Sequence, residues 1–326
     1  MRNFNTIIAV AIIATAGLPD TQNDLMAEEK VLKPESRGNL EYQWMKEFSD
    51  IKLDGQAIRV HSQGLYVTKT HFYVTGRLES SPRRALLLRI DRSNPKSVEF
   101  LDITFFRRGS SPHTQRLDHP GGFDCDGRQL WIPVSASKPQ SCTVVVRVPL
   151  HGEGAFSEQP LDVAFEVDDH IGALAIDTKS NRLYGANWDT RLVYVWELDG
   201  QCIRKIRRER LIKDDPAWYL AIQDWKYIGG GLILASGNDR SKRSAATGSR
   251  AVVELLDLRR GVSLQRISLT RRPESDHYMT REGMALNGDQ LFLLPGDIVP
   301  GDNVSSKQGS RGKVFCYRWP IHIGDN

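Results

Sequence analysis

Three histidines, His61, His119 and His170, each stand three residues ahead of a small residue that opens an apolar run, at Gly64, Gly122 and Ala173. If those runs are equivalent strands of a repeat, the three imidazoles point toward one axis. Neutral imidazole nitrogens gathered in this way can hold a transition metal such as zinc or iron. Asp118 and Asp169, which directly precede His119 and His170, then have the place of partners that fix ring tautomers. The competing reading is that each ring caps its own repeat by local hydrogen bonds, the commoner fate of such a histidine.

The same side of the repeat collects other polar and aromatic candidates. Run-ins to the apolar strands bring Trp218, Tyr219, Arg281 and Glu282, and the loops behind them bring Asn187, Trp188 and Asp297. Aromatic rings beside polar groups suit a concave site for a small polar ligand, a glycan or a protein. No glycine-rich phosphate loop, paired-histidine helix or nucleophile elbow accompanies them. Two function classes follow: a binding protein, or a metal-dependent hydrolase or lyase of lactonase or esterase type, in which a cation polarises a carbonyl and activates water.

These candidates depend on a repeated two-strand phrase. A small residue opens an apolar run, a polar turn follows, and a second apolar run ends in small or polar residues. Aligned on Gly64, Gly122, Ala173, Ala221 and Gly283, the phrase recurs at intervals of roughly 50 residues, the size of a propeller blade. Two further strand-like runs follow each of the first four copies, as Thr143–Val148 and Leu161–Val167 do in the second. The reading is an all-β, five-bladed β-propeller over residues 42–320, with six blades as the alternative count. The last copy has only Lys313–Trp319 after its phrase, so Tyr42–Phe48 is expected to supply the outer strand and close the ring. Two long loops rich in Gly, Ser, Asp and Lys, residues 237–250 and 295–312, are expected on the face that carries the histidines.

Residues 1–16 read as a secretory signal: a basic start, the apolar stretch Thr6–Ala14, and Ala14-Thr15-Ala16 as a small-residue cleavage site. Residues 17–41 read as a flexible leader and 321–326 as a tail, which makes the mature chain a secreted or periplasmic monomer with no later membrane span. A net charge of +4 from 44 basic and 40 acidic residues is too balanced for a phosphate-tracking protein, so nucleic acid is excluded as the main partner. The one dense basic run, Arg204–Arg210, falls on an expected outer strand, where charge discourages edge-to-edge pairing. Four cysteines permit disulfides in an exported chain, and Cys125 with Cys142, within one repeat, is the expected pair.

Glu282-Gly283-Met284, at the start of the last inner strand, resembles the inner-strand motif of the gluconolactonase and senescence-marker-protein propellers. That resemblance implies six blades and a divalent cation such as calcium held by Glu282, with Asn187 and Asp297 as further ligands. Taken whole, the chain is similar to secreted β-propellers of uncharacterised function.

Overall fold

A computed structural model describes residues 40–48, 50–53, 55–108, 114–241, 250–275, 277–299 and 312–319. The expected signal, most of the expected leader, the tail and much of the two long loops lie outside them.

Runs of β-branched, leucine and aromatic residues, punctuated by Asp-Gly, Asn-Gly and Gly-rich turns, form five antiparallel meanders. Blade one comprises Val60–Val67, His71–Leu78, Arg84–Asp91 and Val98–Asp102. In blade two the inner edge is broken into His119–Pro120 and Asp124–Cys125, followed by Gln129–Ser135, Thr143–Pro149 and Asp162–Val167. Blade three is Ile171–Asp177, Arg182–Asn187, Leu192–Glu197 and Cys202–Arg207, and blade four is Leu220–Gly229, Leu232–Asp239, Ala251–Asp257 and Val262–Leu269. Blade five orders Met284–Asn287, Gln290–Leu293, Lys313–Arg318 and then Glu41–Glu47. Two small hairpins, Ile51–Leu53 with Gln56–Ile58 and Phe105–Arg108 with Thr114–Leu117, sit in the connections into blades one and two. No helix among the described residues is long and apolar enough to cross a membrane.

Closure follows the expected route. Glu41–Glu47 runs antiparallel to Lys313–Arg318, with Tyr42 opposite Tyr317 and Glu47 opposite Lys313. Trp44 packs edge-on to Phe292 at 5.8 Å between ring centroids. The added strand covers what would be an open edge of blade five. The basic run supplies the outer strand of blade three, Cys202–Arg207, with its charges turned to solvent.

The small residues that mark the repeat are explained at the axis, where inner strands of different blades touch. A Cβ on Gly283 would lie 2.7 Å from the carbonyl carbon of Gly64, and one on Gly121 would lie 2.3 Å from the Gly172 oxygen. Gly122 forms a parallel bridge with Ala173, its N–H donating to Gly172 at 2.8 Å. Only residues without a side chain let the strands approach this closely.

Two buried aspartates complete the neck. Asp124 accepts the backbone N–H groups of Cys125, Ile176 and Tyr227, and Asp224 accepts those of Leu65, Trp225 and Met284. Lys226 then donates to Asp224, to the Phe123 carbonyl and to the Trp225 carbonyl. All five blades are thus tied to one polar knot on the axis beneath the histidines. Hydroxyls latch neighbouring blades further out: Thr75 donates to Gly121 at 2.8 Å, Ser135 to Ile171 at 3.3 Å and Thr280 to Gly237 at 2.5 Å.

One expectation is corrected. Cys125 and Cys142 are not paired, and all four cysteines are free thiols. Cys125 pairs with Leu130 at the start of the strand Gln129–Ser135, whereas Cys142 precedes Thr143, which faces Ser135 at its other end. The strand's length separates the two sulfurs.

Candidate functional site at the mouth of the propeller

His61 and His170 occupy matching positions for a local reason. Each lies just ahead of a one-residue bulge in its inner strand, between Ser62 and Gly64 in blade one and between Ile171 and Ala173 in blade three. Bulges re-aim side chains at the rims of sheets. His119 opens the broken inner edge of blade two, opposite Ser135. The rings form a row: His61 to His119 is 6.3 Å between centroids and His119 to His170 is 5.5 Å. Trp188 ends the row, 4.9 Å from His170 and at 86° to it.

Each imidazole in the row is held through Nδ1. His61 donates Nδ1–H to Asp297 Oδ1 at 2.7 Å, and Arg59 closes the other oxygen of that carboxylate at 2.7 Å. His119 Nδ1 receives a hydrogen bond from Arg77 Nη1 at 3.1 Å. His170 Nδ1 donates to the Lys138 carbonyl at 2.9 Å, with the Ser141 hydroxyl at 3.4 Å. None of the three Nε2 atoms has a hydrogen-bond partner among the described residues.

The rings differ in how readily they take up a proton. Burial works against protonating His61, but the bond to Asp297 and the nearby Glu282 outweigh it and hold its pKa above the ordinary imidazole value. Burial, the adjacent His170 ring and Arg77 push His119 well below that value. Burial also lowers His170, against the carbonyls of Lys138 and Ala136.

Glu282 and Asp297 complete the His61 end. One ligand atom from each of His61, Glu282 and Asp297 falls within 4.8 Å of the others. Glu282 is 3% exposed, and burial, opposed by His61 and Arg281, pushes its carboxyl up to about 8. Burial also acts upward on Asp297, but His61 and Arg59 hold its carboxyl well below the usual range. Two carboxyls whose environments drive them apart make an acid and base pair within one site. Arg281 sits with Nε 3.1 Å from Glu282 and leaves its buried Nη1 without a partner.

Not all the expected residues reach the mouth. Asn187 is buried, its amide donating to Asp169 and its oxygen accepting from Leu192 N–H, so it serves the turn that carries Trp188. That turn is unusual, since Asp189 and Thr190 both have positive φ, 56° and 55°. For a β-branched residue such a conformation is a genuine outlier. Thr190 is held there by accepting Ile222 N–H at 3.1 Å, and Asp189 by Arg240 at 2.7 Å. Tyr219 is half-buried under the Arg208 guanidinium, 4.0 Å from the ring centroid. Trp218 lies in the core between blades three and four, its indole N–H shared by both oxygens of Glu254.

Register explains the Trp218 result. The blade-four bulge falls between Ile222 and Asp224, so Ala221, three residues beyond Trp218, is the position equivalent to His61 and His170. Sequence reasoning missed Arg77, which sets the His119 tautomer, and Arg59, which holds the Asp297 carboxylate that accepts from His61. Their signal was available, because each lies beside a flagged histidine: Arg59 is two residues ahead of His61 in sequence, and Arg77 faces His61 across the first hairpin.

Among known proteins, the family of unknown function DUF6454 matches residues 107–286, more than half of the chain. The chain belongs to this family. The matched stretch includes His119, His170, Trp188 and Glu282, but His61 and Asp297 lie outside it. No curated protein matches the DUF6454 chain in sequence. Its fold is similar to a solved structure from the GH130 family of mannoside phosphorylases, described as containing glycoside hydrolases that target β-1,2 mannosidic linkages in Candida mannan. That match has a TM-score of 0.50 and 11% identity, covering 91% of this chain and 98% of the other. A glycosyl hydrolase from Bacteroides ovatus aligns with a TM-score of 0.47 and 11% identity, over 87% and 97% of the two chains. At such identities the likeness concerns the fold alone. Five blades also differ from the six that the gluconolactonase resemblance implies.

Proposed function

We propose that this DUF6454 protein is an exported propeller that captures a small polar ligand, of the glycan class, at the mouth lined by His61, His119, His170, Trp188, Arg281 and Glu282. One observation carries the reading: three neighbouring imidazoles are each anchored at Nδ1 and keep Nε2 unpartnered, beside a half-buried tryptophan. Rings fixed from behind lose little entropy when a ligand arrives, which is what preorganisation contributes to affinity. The unpartnered Arg281 Nη1 adds a further donor. Glycans are the class to test first, following the mannoside-directed proteins that share the fold.

The test is a glycan array followed by calorimetry on wild type and on a His119→Ala, His170→Ala double variant. Binding that weakens tenfold or more in the double variant is expected. Binding unchanged by the double variant would remove the row from the site.

A metal-assisted hydrolase or lyase is the second reading, favoured by the His61, Glu282 and Asp297 cluster. Its mixed nitrogen and oxygen donors suit zinc or iron(II) better than calcium, which prefers oxygen ligands. His119 does not fit the three-histidine version: with Arg77 donating to Nδ1, a neutral His119 carries its proton on Nε2 and has no lone pair there for a metal. Elemental analysis after dialysis against zinc, compared with Glu282→Gln and Asp297→Asn, tests this reading. Equal metal content in all three proteins would dispose of it.

A further inference from the structure

The row of imidazoles presents a fixed pattern of donors and acceptors, and that pattern selects among polar ligands. That selection rests on the mouth being a binding site, as proposed above.

Arginine has no lone pair and stays protonated, so a nitrogen that contacts its N–H must be the acceptor. His119 Nδ1 therefore carries no proton, and the neutral ring presents N–H at Nε2. A backbone carbonyl has no proton to give, so His170 Nδ1 carries the hydrogen and its neutral ring presents a lone pair at Nε2. Adjacent rings, 5.5 Å apart, thus offer one donor and one acceptor.

The cations beside His119 and His170 are already committed, while Arg281, whose Nη1 is unpartnered, stands at the far end of the row against Glu282. Arg77 gives Nε and Nη2 to Glu79 and Nη1 to both Ser137 and His119. Arg59 is bound to Asp297, and Arg191 to the Trp188 and Pro139 carbonyls and to Asp169 at 3.6 Å. Asp169, the carboxylate closest to His170 in sequence, accepts from the His170 backbone, Asn187 and Tyr194. An anion, which only accepts, would meet the lone pair of His170 with these guanidinium forks already filled. An ammonium group, which only donates, would meet the N–H of His119 beside Arg77. A hydroxyl does both.

We infer that the ligand is an uncharged polyol such as a neutral sugar, with hydroxyls that accept from His119 Nε2–H and donate to His170 Nε2 while an apolar sugar face lies against Trp188. Aromatic rings next to hydrogen-bonding groups suit such a two-faced ligand.

The test has two arms on the full-length protein. Long-range proton–nitrogen spectra of the imidazoles in the free protein read the tautomers directly, with no ligand needed. The expected result at neutral pH is His119 protonated on Nε2 alone and His170 on Nδ1 alone. The reverse tautomers, or a doubly protonated His170, would overturn the inference.

The second arm compares neutral oligosaccharides, mannobiose and maltotriose among them, with galacturonic acid oligomers and mannose 6-phosphate by calorimetry and by the same spectra. A neutral sugar should shift both Nε2 signals and bind at least tenfold tighter than the acidic ones, with His170→Ala removing most of that affinity. An acidic sugar that binds tighter and shifts the same signals would overturn the polyol assignment but leave the mouth as a binding site. If no compound in either set moves the signals of His119, His170 or Trp188, the assignment and the binding reading both fall.

Discussion

Asp224, on the inner strand of blade four, accepts the backbone N–H of Met284 in blade five at 2.9 Å. It also takes Leu65 of blade one at 3.0 Å and Lys226 at 2.5 Å, with Asp224 itself at 0% exposure and Lys226 at 4%. One carboxylate therefore tethers three blades around the floor on which the histidines stand.

Removing that carboxylate should be costly. Asp224→Ala leaves Lys226 and three backbone donors buried without their acceptor, and breaking a buried ion pair from one side typically costs about 3–5 kcal/mol. The expected outcome is a loss of that size in urea denaturation. Replacing both partners, Asp224→Leu with Lys226→Met, should recover part of it, because the uncompensated charge is gone. A single variant within about 1 kcal/mol of wild type would show that the knot does not hold the blades.

His119 gives an acid-limb prediction. Its folded pKa lies well below the ordinary 6.5, chiefly through burial. The unfolded chain therefore binds this proton on acidification before the folded one does. The sign follows: stability is fully present above about pH 6.5 and falls as pH drops toward the folded value, by at most about 1.4 kcal/mol per pH unit. His119→Gln, whose side-chain oxygen can still accept from Arg77, removes the effect. Melting temperatures from pH 7.5 to 5 should converge toward, or cross in favour of, the variant. Parallel curves would contradict the buried neutral ring.

Glu282 acts in the opposite direction. Its folded carboxyl is pushed up to about 8 from an ordinary 4.5, first by burial. The stabilising contribution of the protonated form is complete below about pH 4.5 and is lost as pH rises to 8. In chelator-treated protein, Glu282→Gln should gain on wild type through that window, by on the order of a few kcal/mol in total, and level off above it. A flat difference across the window would mean that the carboxyl is ionised in the folded protein.

Legibility in the sequence tracked how local each signal was. The closing strand could be read because the last repeat lacked a partner and Tyr42–Phe48 was a strand without one. The glycines could be read as marks of a repeat, although their cause, the contacts of Gly283 with Gly64 and Gly121 with Gly172, is visible only between blades. Matching positions for His61 and His170 could be read because both bulges fall at the same offset. In blade four the bulge follows Ile222 instead, so an alignment by small residues chose Ala221 where the register places Asp224. The Asp124, Asp224 and Lys226 knot escaped notice for a related reason. Its partners, such as Leu65 and Met284, are far apart in sequence and are joined through backbone N–H groups, which leave no mark on residue type.

The two tryptophans once grouped at the mouth separate the two roles most directly. Trp218 is 2% exposed, and its indole N–H is the shared donor to a Glu254 carboxylate that also accepts from Ser263 and Arg266. Trp218→Phe keeps most of the apolar volume but removes one donor from a buried carboxylate. The expected loss is about 1–3 kcal/mol of stability, with ligand affinity at the mouth unchanged. Trp188 is half-buried, meets His170 edge-on at 4.9 Å, and is displayed by a turn whose strain is borne at Asp189 and Thr190 rather than by the indole. Trp188→Ala should therefore leave the melting temperature within a few degrees of wild type while weakening capture of a neutral sugar tenfold or more. Denaturation and calorimetry on the same two variants decide the matter. If Trp218→Phe weakened ligand binding as much as Trp188→Ala without loss of stability, the site would have to extend into the cleft between blades three and four, and the mouth would not be its centre.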